Sequence, residues 1–102
     1  MSELALTDNG KIIDLRRDDP IVLRLPEDPD TGYRWAVVAL DDDVLTVESS
    51  AFSQGIGGGG MRTLLLSPKR AGTAHLQLKH WREWEGDRSS LDRFEVTLRI
   101  RD

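Results

Sequence analysis

The chain has no cysteine, which excludes disulfide bonds and thiol nucleophiles at once. Histidine is scarce as well: His75 and His80 are the only two in 102 residues. They stand five apart on a run that reads as a strand, so their side chains point to opposite faces and cannot ligate one metal. A serine hydrolase would need a serine, a histidine and an oriented carboxylate in one pocket. Ser53, Ser67, Ser89 and Ser90 lie in loops or at strand ends, with no nucleophile elbow around them. The acids are scattered through turns and form no evident pair for glycoside chemistry. The chain is therefore expected to be no enzyme and to carry neither metal nor cofactor.

Excess positive charge is missing too. Fourteen basic residues face 18 acidic ones, for a net charge of −4 and no basic stripe that would follow a phosphate backbone. No window approaches the apolar length of a membrane span. The opening "MSELALTDNGKIIDL" lacks the charged start and apolar run of a signal peptide. These absences leave a single soluble domain over residues 1–102, expected to be a monomer with no nucleic-acid or membrane partner. Its location is expected to be cytoplasmic by default, or periplasmic or secreted if the chain was trimmed.

What is present is a period of two. Ile21, Leu23 and Leu25 alternate with Val22 and Arg24, and Leu64 and Leu66 with Thr63 and Leu65. Ala74, Leu76, Leu78 and His80 alternate with His75, Gln77 and Lys79. The cleanest pattern is the last: Phe94, Val96, Leu98 and Ile100 against Glu95, Thr97, Arg99 and Arg101. The run 35–40 is apolar on both faces and so reads as a central strand. Shorter candidates are 11–16 and 44–49. No stretch keeps a helical apolar stripe through to a cap. Short strands with regularly spaced turns predict an all-β, immunoglobulin-like antiparallel β-sandwich of about seven or eight strands.

The connections are unequal. Those at 17–20, 41–43 and 68–72 are short and polar, whereas those at 26–33, 51–61 and 81–90 are long or chemically unusual. Long and short alternate along the chain, so the three special loops fall at one end of the sandwich, where a rigid scaffold commonly carries its binding residues. "GIGGGG" is followed by another β-like run rather than a helix, which argues against a phosphate loop. "HWREWEGD" places an arginine between two tryptophans, a composition typical of binding hot spots. In "DPDTGYRW", Trp35 reads as core, while Asp28, Pro29, Thr31 and Gly32 supply the chemistry of a stiff turn.

These three loops, in this order, resemble those of the chagasin-like inhibitors of cysteine peptidases. The family's first motif, Asn-Pro-Thr-Thr-Gly-Tyr, corresponds to Asp28-Pro29-Asp30-Thr31-Gly32-Tyr33. Its Gly-x-Gly-Gly motif falls on Gly57-Gly58-Gly59-Gly60, with Gly55-Ile56-Gly57-Gly58 as the other register. Its Arg-Pro-Trp motif corresponds to Arg82-Glu83-Trp84. The resemblance implies a sandwich whose three loops form a wedge for the active-site cleft of a papain-like cysteine peptidase, binding reversibly and without offering a scissile bond. It also implies that Thr31 covers the catalytic Cys-His pair while the glycine and tryptophan loops grip the walls. The departures at Asp28, Asp30 and Glu83, together with Glu27, Glu85 and Asp87, predict an acidic wedge that suits acidic clefts poorly. The alternative reading is an immunoglobulin-like module that binds a carbohydrate or a non-peptidase protein through the same loops, with Tyr33, Trp81 and Trp84 stacking on sugar rings.

Overall fold

The alternating runs build two facing four-stranded sheets in the computed structural model, which describes residues 1–54, 59–89 and 92–102. The strands are β1 (Ser2–Ala5), β2 (Ile12–Arg16), β3 (Ile21–Pro26), β4 (Arg34–Leu40), β5 (Leu45–Gln54), β6 (Gly60–Pro68), β7 (Gly72–Trp81) and β8 (Asp92–Arg101). One sheet runs β1-β3-β6-β5 and the other β2-β8-β7-β4. The pairs β3–β6, β5–β6, β4–β7 and β7–β8 are antiparallel. The outer pairs β1–β3 and β2–β8 are parallel.

The core lies between the sheets and is made by the inward half of each alternation. Phe94, Val96, Leu98 and Ile100 are all buried; with Ala74, Leu76 and Leu78 of the neighbouring β7 they face Ile21, Leu23, Leu25, Leu64 and Leu66 of the other sheet in one cluster. Each fully buried leucine contributes about 1.5–3 kcal/mol relative to leaving it exposed.

The eight strands match the expected seven or eight, while the run 35–40 and the bounds of the 51–61 connection differ from expectation. β4 is not central but the edge of its sheet, with Val37 and Val38 41% and 46% exposed and a bulge between Val37 and Ala39. Apolar residues on both faces do not reveal how many neighbours a strand has. β1 adds a strand to the seven read from periodicity; with Leu4 its one buried residue, it carries too little pattern to be seen. Residues Ala51, Phe52, Ser53 and Gln54 extend β5 rather than opening a loop, because they continue the ladder with β6 to Gly60.

The connections at 17–20, 41–44 and 69–71 share one end, which is closed by ion pairs. Arg70 meets Asp43 at 2.6 Å, and the N-terminal ammonium meets Asp19 at 2.8 Å. These contacts hold both carboxyl groups below the usual range, through the Arg70 hydrogen bond at Asp43 and through the N-terminus and Ser2 at Asp19. A lowered carboxylate pKa adds stability above the unfolded value and loses it as pH falls through the folded one. Residues 27–33 and the segment Glu83–Ser89 leave the opposite end.

Candidate functional site

At that opposite end, residues 27–33 link the two sheets, and their sequence dictates a tight turn. Pro29 opens a 3-10 turn over Pro29–Thr31. Asp28 caps it: its Oδ1 accepts the Asp30 N–H at 3.0 Å, and its carbonyl accepts the Thr31 hydroxyl at 2.8 Å. Aspartate stands where the resembling motif has asparagine, yet only the acceptor oxygen is used, so the turn is preserved. Gly32 then reverses the chain with φ of 78°. Thr31 is exposed at the turn, while Tyr33 and Trp35 turn inward by degrees, Trp35 being buried as expected.

Glu27 holds the base of this turn. It is the one buried charged side chain among the described residues. Its Oε1 accepts the backbone N–H of Trp35 at 2.7 Å, and its Oε2 meets Arg62 Nη2 at 2.8 Å. The Glu27 N–H also donates to the Gly60 carbonyl at 3.0 Å. Trp35 Nε1 donates to the Pro26 carbonyl at 2.8 Å. One carboxylate therefore caps the free edge of β4 and ties the turn to the start of β6. No pattern in the sequence marks it, because an acid beside a proline-rich turn reads as solvated.

The connection after β7 is a 3-10 segment, Glu83–Ser89, kinked at Gly86. Glu83 occupies its first position, where an N–H has no partner inside the turn, so the loss of the family's proline leaves the turn intact. Arg82 reaches back from this segment: Nε donates to the Thr31 carbonyl at 2.9 Å and Nη1 to Glu85 at 3.0 Å. Trp84 is 72% exposed and lies across Gly32. A Cβ added at Gly32 would sit 2.3 Å from the Trp84 Cη2. Gly32, Glu83 and Trp84, together with Trp81, Arg34 and Ala36, line an open cleft of about 710 Å³ beside the tip.

Gly32 is thus required twice, by its positive φ and by the indole above it. Gly32→Ala is expected to cost about 1–2 kcal/mol in thermal unfolding through the left-handed backbone, and to shift the Trp84 indole N–H resonance. An unmoved resonance would contradict the packing of Trp84 on Gly32.

Of the glycine run, Gly59 and Gly60 lie in the described chain, whereas Gly57 and Gly58 lie outside the described residues. Gly59 turns with φ of 75°, and a Cβ on Gly60 would meet the Phe52 ring at 2.3 Å. Gly60 therefore has a packing reason to be glycine. Asp28, Asp30, Thr31 and Arg82 are brought together by the hydrogen bonds above and Trp84 by its packing on Gly32, with Pro29, Tyr33 and Glu83 adjoining them in the same two segments. The wedge is less acidic than its sequence: Glu27 is buried against Arg62, and Glu85 pairs with Arg82. Asp30 and Glu83 remain exposed without a basic partner among the described residues. No cluster of His, Cys, Asp or Glu among the described residues could hold a metal.

The family model described as chagasin family peptidase inhibitor matches residues 14–98. Chagasin from Trypanosoma cruzi is 28% identical over 99 residues, spanning 89% of this chain and 90% of that protein. The cysteine protease inhibitor EhICP2 from Entamoeba histolytica superposes with a TM-score of 0.90 at 22% identity, covering 98% of this chain and 95% of that one. PbICP-C, solved in complex with falcipain-2, gives a TM-score of 0.72 at 13% identity over 99% and 100% of the two chains. At such identities the structural matches establish a shared fold.

Proposed function

This chain belongs to the chagasin family of peptidase inhibitors, and from that membership we propose that it inhibits papain-like cysteine peptidases reversibly, filling the active-site cleft with the loops at the tip of its sandwich. The observation that carries the reading is the union of two loops far apart in sequence. Arg82 bonds the Thr31 carbonyl, and Trp84 lies on Gly32, so Thr31 and Trp84 form one preassembled edge. A surface ordered before binding loses less conformational entropy on association.

The same geometry accounts for inhibition without cleavage. A scissile segment has to lie extended in a peptidase cleft, whereas residues 29–31 are coiled into a 3-10 turn. The Thr31 N–H is turned back on the Asp28 carbonyl at 3.4 Å, and its own carbonyl is held by Arg82. Thr31 is presented to the catalytic Cys-His pair as a plug, with the glycine loop and Trp84 on either wall. The Asp30 carboxylate stands beside it, unpaired among the described residues. The carbohydrate alternative is weaker, because Lys79 Nζ covers one face of Trp81 at 3.5 Å and Arg82 covers Tyr33 at 4.4 Å. That leaves Trp84 as the one broadly open aromatic surface of the three.

Titrating papain or a cathepsin L-like enzyme with the purified protein tests the proposal. Stoichiometric loss of activity, recovered on dilution, is the expected result. Full activity in several such enzymes at micromolar protein would overturn it.

A further inference from the structure

A column of planar groups runs from the core to the tip. At its base is Trp35, 7% exposed. The His80 ring stacks on it, with centroids 4.7 Å apart and planes 8° from parallel. The Tyr33 ring meets His80 edge-on at 5.7 Å and 64°. The Arg82 guanidinium lies over the Tyr33 ring, 4.4 Å from its centroid. His80 Nε2 is buried with no hydrogen-bond partner among the described residues, so its ring contributes through stacking at the expense of that nitrogen.

Arg82 completes the column and has two of its three guanidinium nitrogens, Nε and Nη1, committed inside the protein. Nε donates to the Thr31 carbonyl at 2.9 Å and Nη1 to Glu85 at 3.0 Å, while the plane rests on Tyr33. Its side chain is 32% exposed. We infer that Arg82 is a positioning residue: it fixes the Thr31 carbonyl and the tip turn through Tyr33 and His80, and does not act as a charge offered to the peptidase. This rests on the inhibitory reading above. Only a planar, forked cation can satisfy all three contacts, since a lysine ammonium is a point charge on a flexible stem. What Arg82 contributes is turn geometry, so its loss should weaken every partner alike.

The test uses Arg82→Lys and Arg82→Gln in the full chain. Inhibition constants are measured against two papain-like peptidases of opposite cleft charge, and amide hydrogen exchange is followed at Thr31 and Tyr33 in the free protein. Both variants are expected to lose about tenfold in affinity, the worth of one charge-assisted hydrogen bond, and by the same factor on both enzymes. The two tip amides should exchange faster, with the amides of β7 and β8 unchanged. Parent-like inhibition by Arg82→Lys, losses that follow cleft charge, or unaltered tip exchange would each overturn the inference. If the unsubstituted protein inhibits neither enzyme, the inhibitory reading fails, and the exchange of the tip amides alone decides the role of Arg82.

Discussion

Glu27→Ala is expected to lower the unfolding free energy by about 3–5 kcal/mol, the cost of removing one member of a buried ion pair. The Glu27 side chain is 2% exposed and that of Arg62 17%, so the pair is nearly closed to water. Truncation strands the guanidinium, which among the described residues would keep a long contact with Ser50 at 3.4 Å and the Phe52 ring 5.9 Å away. It also frees the Trp35 N–H at the edge of β4. The penalty belongs to the orphaned partner more than to the pair. Adding Arg62→Met to Glu27→Ala should therefore recover much of the loss, so that the double variant is destabilised by much less than the two single variants summed. Urea unfolding of the single and double variants measures this. A Glu27→Ala change within about 0.5 kcal/mol of the parent, the range of ordinary surface substitutions, would show that Glu27 is solvated rather than clasped.

Trp84→Ala is expected to do the opposite, sparing the fold and damaging inhibition. With 72% of its surface exposed, the side chain contributes little to the core, and its main internal contact is Gly32. A tryptophan at the centre of an interface commonly costs about 2–4 kcal/mol when truncated, or roughly 30- to 1,000-fold in affinity. The melting temperature should stay close to that of the parent while the inhibition constant rises by that factor. A large fall in melting temperature with little change in inhibition would assign Trp84 to packing and remove it from the binding edge.

The parts of this molecule legible in its sequence are those set by local periodicity. Phe94, Val96, Leu98 and Ile100 alternate with charged neighbours, and all four are buried. The alternation of long and short connections also anticipated the meeting of the Thr31 and Trp84 loops. Neighbour relations were harder. The sequence of β4 looks central because Val37 and Val38 are apolar, yet hydrophobicity reports side-chain environment and says nothing of the hydrogen-bonding partner on either side. The hidden half of the site is ionic. Glu27 and Arg62 lie 35 residues apart, and Arg82 and Thr31 51 apart, so only the folded chain reveals that they bond. Acids counted as wedge charge, Glu27 and Glu85, prove to be internal partners of arginines.

The central claim is that the tip of the sandwich occupies a peptidase cleft. It is tested most directly by measuring binding to one immobilised papain-like enzyme in two forms. In the first the cleft is open; in the second it is filled along its length by a covalently attached, peptide-like blocker. Tight, reversible binding to the open enzyme and none to the filled one is the expected result. Equal binding to both forms would place the contact outside the cleft and contradict the claim.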